Sequence, residues 1–209
     1  MKNVLLLGDS IRIGYDKAVK ASLEGKANVV FTADNNMFTS HLLRFICGYK
    51  NNLLGDEKVD VIHWNAGLWD CLRLYGEEPH TPIDIYAYYI DRVSQRIKNC
   101  YPDAKVIFAT STAVISEKMS EDFKRYNEDI EAYNKAAIEV VTKYGFDVDD
   151  LYSVSKDLPE EYHSDAVHYY TPAATELFTK KVLSHVCAAL DIDVPEYVEV
   201  VHTDKPIGI

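Results

Sequence analysis

Residues 5–15 read LLLGDSIRIGY, an apolar run entering Gly8-Asp9-Ser10 with no spacer. The run begins at Val4 and is too short for a helix core; it reads as a strand buried on both faces. Helix-like sequence follows at once, Ile11 to Leu23. A strand that stops on a serine before a helix leaves that serine three uses: helix N-cap, phosphate cradle or nucleophile.

The same alternation continues along the chain. NVVFTA (28–33), VDVIHWNA (59–66) and AKVIFATST (104–112) read as further strands, and FDVDDLYSV (146–154) as a short fifth strand with its exit loop. Helices are expected at 39–49, capped by Thr39 or Ser40, at 83–100 behind Thr81-Pro82, at about 120–144 ended by Gly145, and at 171–190 behind Thr171-Pro172. Apolar strands separated by helices predict one α/β domain, a flavodoxin-like three-layer α/β/α sandwich on a five-stranded, mainly parallel sheet. Residues 1–190 form this domain. Residues 191–209, DIDVPEYVEVVHTDKPIGI, are an extension that reads as an edge strand or as an arm on a neighbouring subunit, which leaves a homo-oligomer open.

The chain has 209 residues and a formal charge of −11, which argues against nucleic acid or an anionic membrane surface as partner. The only apolar run near the start is Val4 to Leu7, with no small-residue cleavage site after it. The chain as it stands therefore reads as soluble and cytoplasmic. Cys47, Cys71, Cys100 and Cys187 form no CxxC pair and read as buried free thiols; no metal site is expected.

In a parallel α/β sheet the binding crevice lies beyond the carboxyl ends of the strands. That rim collects Ser10, Asn35, Asn36, Asn65 and Gly67. A serine hydroxyl needs a base, and the base an orienting acid. Of seven histidines, His63 falls inside a strand, His41 and His185 on helices, and His80 and His202 in loops without an obvious partner. His168, in SDAVHYYTP, stands three residues after Asp165 in a loop just before a well-capped helix; His163 is its nearest rival. GDS lacks the further glycines of a dinucleotide fingerprint and the Gly-Lys-Ser/Thr of a P-loop, and it is not GxSxG.

Taken together, LLLGDSIRIGY, WNAGLWD and SDAVHYYTP resemble the blocks of the SGNH (GDSL-type) hydrolase family, over residues 2 to about 190. The resemblance implies a serine hydrolase cleaving an acyl ester through an acyl-enzyme, with Ser10 as nucleophile, His168 as base and Asp165 orienting it. No metal or organic cofactor is implied. The family's second block carries a glycine whose N–H joins the oxyanion hole. Here ADNNMFTSHLL has none, which leaves a backbone N–H near Asn36 or Met37. The third block commonly reads Gly-x-Asn-Asp. Registering Gly67 and Asp70 with it puts Trp69 at the asparagine and makes Asn65 the candidate side-chain donor beside the Ser10 N–H and Gly67. Asp9, Arg12, Asn36, Leu68 and Trp69 are candidate pocket residues. Asp9 is better suited to bracing the turn, and Arg12 to pairing with Asp70 or another rim carboxylate. Trp64 and the Tyr86, Tyr89, Ile90 stripe read as core. The expected substrate is a small acyl ester, O-acetyl on carbohydrate before a long lipid. A lipid- or thioester-directed hydrolase and a non-catalytic small-molecule-binding member of the fold stay open.

Overall fold

The computed structural model describes residues 1–201. Every expected sheet strand forms: β1 (Lys2–Leu7), β2 (Ala27–Phe31), β3 (Val61–Trp64), β5 (Lys105–Ala109) and β7 (Asp147–Asp149). Two short strands, β4 (Arg73–Leu74) and β6 (Phe123–Lys124), pair with each other instead. The main sheet runs β2-β1-β3-β5-β7, and every pairing in it is parallel. This is the flavodoxin-like order, with its topological switch point beside β1. Val4, Leu5, Leu6 and Leu7 are fully buried because helices cover both faces.

The helices are α1 (Ser10–Ile13), α2 (Asp16–Ser22), α3 (Thr39–Leu54), α4 (Ile83–Cys100), α5 (Asn127–Val141), α6 (Leu151–Ser155) and α7 (Pro172–Leu190). Two differ from expectation. The helix expected from Ile11 to Leu23 breaks at Gly14-Tyr15 into α1 and α2. The Tyr170 ring lies 3.0 Å from where a Gly14 side chain would begin, so a larger residue there would have to push the ring aside. The helix expected from about 120 starts at Asn127, because Phe123 and Lys124 pair in antiparallel register with Leu74 and Arg73. Arg73 anchors this crossing on α5, donating from Nε to Asp129 at 2.8 Å and from Nη2 at 3.1 Å.

Trp64 sits edge-on to Phe108, and Tyr86 and Ile90 are fully buried, so these are core residues. His63 is also core, paired with Asp149 at 3.0 Å. The free-thiol expectation is corrected for two cysteines: Cys47 of α3 and Cys100 of α4 form a disulfide, while Cys71 and Cys187 are free and buried. Packing α3 against α4 brings together thiols that sequence spacing gave no reason to pair. Residues 192–201 form no strand; the Val198 N–H donates to Ser22 Oγ of α2. His202 and the rest of the extension lie outside the described residues. Among the described residues no helix is long and apolar enough to cross a membrane.

Candidate active site

The turn after β1 is clamped from both sides. Gly8 has φ +151°, and Asn65 Oδ1 lies 1.8 Å from the point a Gly8 Cβ would occupy. No side chain fits there. The Gly8 N–H donates to Asn36 Oδ1 at 2.8 Å, and the Asn36 N–H donates back to the Gly8 carbonyl at 3.0 Å. Asp9, not Ser10, caps α1: its Oδ1 accepts the Ile11 N–H at 3.0 Å and Asn65 Nδ2 at 2.7 Å. Burial raises the Asp9 carboxyl above the usual range, against those two hydrogen bonds. Ser10 is thus the first helical residue, and its N–H has no partner within the helix.

The loop before α7 brings the base to it. His168 Nε2 is 2.8 Å from Ser10 Oγ, and His168 Nδ1 is 2.8 Å and 3.0 Å from the Asp165 oxygens. With Nδ1–H donating to the carboxylate, Nε2 is left to accept the serine proton. Asp165 Oδ1 also accepts the backbone N–H groups of Val167 and His168, each at 2.8 Å, which folds the Asp-x-x-His segment so that both ends face one point. Burial would raise the Asp165 carboxyl; hydrogen bonds from His168 and these N–H groups outweigh it and hold the pKa at about 2. Tyr170 adds a second tie, its hydroxyl donating to the Ser10 carbonyl at 2.6 Å. His163 stacks at a tilt on Tyr169 instead of approaching the serine.

Ser10 and His168 open onto a cavity of about 40 Å³ walled by Leu68, Trp69, Phe123, Arg125 and Val167. Trp69 is held edge-on between Phe38 and Phe123, and the Arg125 guanidinium lies over both Trp69 and Phe123. Arg125 Nε donates to the Leu68 carbonyl. Burial lowers the Arg125 pKa from its ordinary value, yet arginine stays charged.

Leu68 and Trp69 therefore line the cavity as expected, and several other expected residues do not. Arg12 is buried behind the site, paired with Asp16 and donating to the Thr32 and Asp34 carbonyls, rather than with Asp70 or a ligand. Asp9 and Asn36 are consumed in the clamp around Gly8. The Met37 N–H donates to Asn35 Oδ1 at 2.9 Å, and the Asn36 N–H is held by Gly8, so both second-block donors are engaged. The Asn65 amide is turned onto Asp9 beneath the turn. Gly67 sits behind the wall with φ +153°, where a Cβ would meet Ser111 Oγ at 2.6 Å. Asp70 instead serves α3, accepting the Thr39 N–H and hydroxyl at 3.0 and 2.7 Å. Phe123, Arg125 and Val167 were missed. No local motif marks the first two, since they reach the cavity only through the β4–β6 pairing.

This is the fold of the SGNH (GDSL-type) hydrolases. A lipase/acylhydrolase from Enterococcus faecalis superposes with a TM-score of 0.72 at 20% identity, covering 94% of this chain and all of that one. An acetyl xylan esterase gives 0.68 at 19% identity over 88% of this chain and 99% of that one. A GDSL-like lipase from Bacteroides thetaiotaomicron gives 0.70 at 15% identity, with 90% and 89% covered. No family model and no curated protein matches by sequence.

Proposed function

We propose that the chain is a serine esterase acting on short acyl esters, with O-acetyl groups on carbohydrate as the favoured class. The hydrogen-bonded series Asp165–His168–Ser10 at a small cavity carries this reading. Ser10 Oγ attacks the ester carbonyl carbon as its proton passes to His168 Nε2, and the carbonyl π pair moves onto oxygen. Collapse expels the alcohol, which takes the proton from His168. Water, deprotonated by the same nitrogen, then attacks the acyl carbon, and on collapse His168 returns the proton to Ser10 Oγ as the acid leaves. The small cavity supports short acyl groups over lipid chains, and one neighbour in fold is an acetyl xylan esterase.

The engaged donors at Met37, Asn36 and Asn65 favour a second reading, a binding module that kept the fold without the chemistry. A fluorophosphonate probe and p-nitrophenyl acetate separate the two. Ser10-dependent labelling and hydrolysis, both lost in Ser10→Ala, are expected. Absence of both from the parent protein would sink the esterase reading. The Cys47–Cys100 bond favours an oxidising compartment over the cytoplasm expected from sequence.

A further inference from the structure

The tetrahedral intermediate of this reaction places a full negative charge on the former carbonyl oxygen. Such an oxyanion needs preorganised donors, and loss of one typically slows chemistry by roughly 10²–10³-fold. Around Ser10 the expected donors point elsewhere: the Met37 N–H to Asn35, the Asn36 N–H to Gly8, and one N–H of Asn65 Nδ2 to Asp9. Trp69 stands in the cavity wall where the sequence register expects an asparagine. Of the expected donors, only Ser10 lines the cavity.

Arg125 shares the cavity wall with Ser10 and His168, and it is only 3% exposed. Its Nε is bound to the Leu68 carbonyl, whereas Nη1 and Nη2 have no acceptor and no carboxylate partner among the described residues. The guanidinium carbon lies 5.8 Å from the Trp69 ring centroid and 5.1 Å from that of Phe123. An unpaired buried cation is costly unless something completes it. A cation held rigidly at the wall of a 40 Å³ cavity, with four spare N–H groups, is suited to an anion formed within that cavity.

We propose that Arg125 is a catalytic residue that binds the oxyanion through Nη1 and Nη2 and, with the Ser10 N–H, makes up this chain's oxyanion hole. The inference rests on the esterase reading. As the Ser10 Oγ–carbon bond forms and the serine proton moves to His168, the π pair settles on an oxygen already facing a positive charge. On collapse the pair returns to the carbonyl and the leaving alkoxide takes the proton from His168.

The test uses the full chain with p-nitrophenyl acetate, which carries no anionic group for an arginine to bind in the ground state. Arg125→Gln and Arg125→Ala should lower kcat by roughly 10²–10³-fold with KM little changed, and slow fluorophosphonate labelling of Ser10. Arg125→Lys, which keeps the positive charge, should retain more kcat than Arg125→Gln. Millimolar guanidinium should restore part of the rate in Arg125→Ala and none in Ser10→Ala, an effect that a merely structural role would not produce. Undiminished kcat in Arg125→Gln, or a loss confined to KM, would overturn the proposal; the latter would make Arg125 a substrate-anchoring residue. A parent protein without hydrolysis or Ser10 labelling would remove the esterase reading itself, whereas active parent and active variants together would remove only Arg125.

Discussion

Replacing Cys47 and Cys100 together by serine tests the one covalent cross-link in the described chain. The bond closes a loop with a sequence separation of 53. In the chain-entropy description such a loop removes about 14 cal/mol/K from the unfolded ensemble, worth about 4 kcal/mol at 25 °C. For a chain of this size, each kcal/mol moves Tm by roughly 2–4 °C. The double variant should therefore melt roughly 8–16 °C lower, and the parent protein should fall by the same amount when pre-reduced. Esterase turnover at 25 °C should be unchanged. Cys100 ends α4, which returns the chain to the starting end of β5, away from the rim that holds Ser10. Differential scanning calorimetry with and without a phosphine reductant reads the shift. A double variant melting within a degree of the parent, with the parent indifferent to reductant, would show that the cross-link does not constrain the unfolded chain.

Gly8→Ala forces a methyl group onto Asn65 Oδ1 at φ +151°; it should cost at least about 3 kcal/mol by urea unfolding, and a smaller loss would mean the turn relaxes freely. Asp70 is buried, and burial raises its pKa to about 6 against hydrogen bonds from Thr39 and Thr81. A folded pKa above the unfolded one makes stability fall as pH rises from about 4 to about 6, by about 3 kcal/mol. Asp70→Asn should abolish that part of the pH profile, and an unaltered profile would assign it elsewhere. For Asp165 the sign is opposite: its folded pKa of about 2 lies below the unfolded value. Its stabilising contribution is present above about pH 4 and lost as pH falls through 2. Asp165→Asn should reduce kcat/KM by roughly 10²–10⁴-fold at pH 7 through the wrong His168 tautomer, and near-parent activity would exclude Asp165 as the orienting acid.

The parallel sheet was legible because Val4–Leu7 of β1 and Val106–Ala109 of β5 are continuous apolar runs and β3 is broken only by the buried His63, a pattern that suits a sheet covered on both faces. Asp165 and His168 were legible because both lie in one short loop, where spacing constrains geometry. The oxyanion donors were not. Whether the Asn65 amide faces the cavity or Asp9 depends on how closely β3 brings it under Gly8, a tertiary distance that no spacing encodes. Arg125 was lost inside a helix reading because the two-residue pairing of β4 with β6 is too short to leave a periodic signature. The disulfide joins two helices whose cysteines carry no recognisable spacing.

Two hydrogen bonds join the turn after β1 to the loop before α7: His168 Nε2 with Ser10 Oγ, across 158 positions, and the Tyr170 hydroxyl to the Ser10 carbonyl. During synthesis Ser10 emerges 158 residues ahead of its base. A nascent chain, or one cut ahead of α7, carries an inert hydroxyl and no partner to draw off its proton. Reactivity at this cavity is thus itself a report that the chain has been made and closed up to His168, so labelling of Ser10 can serve as a clock for completed folding.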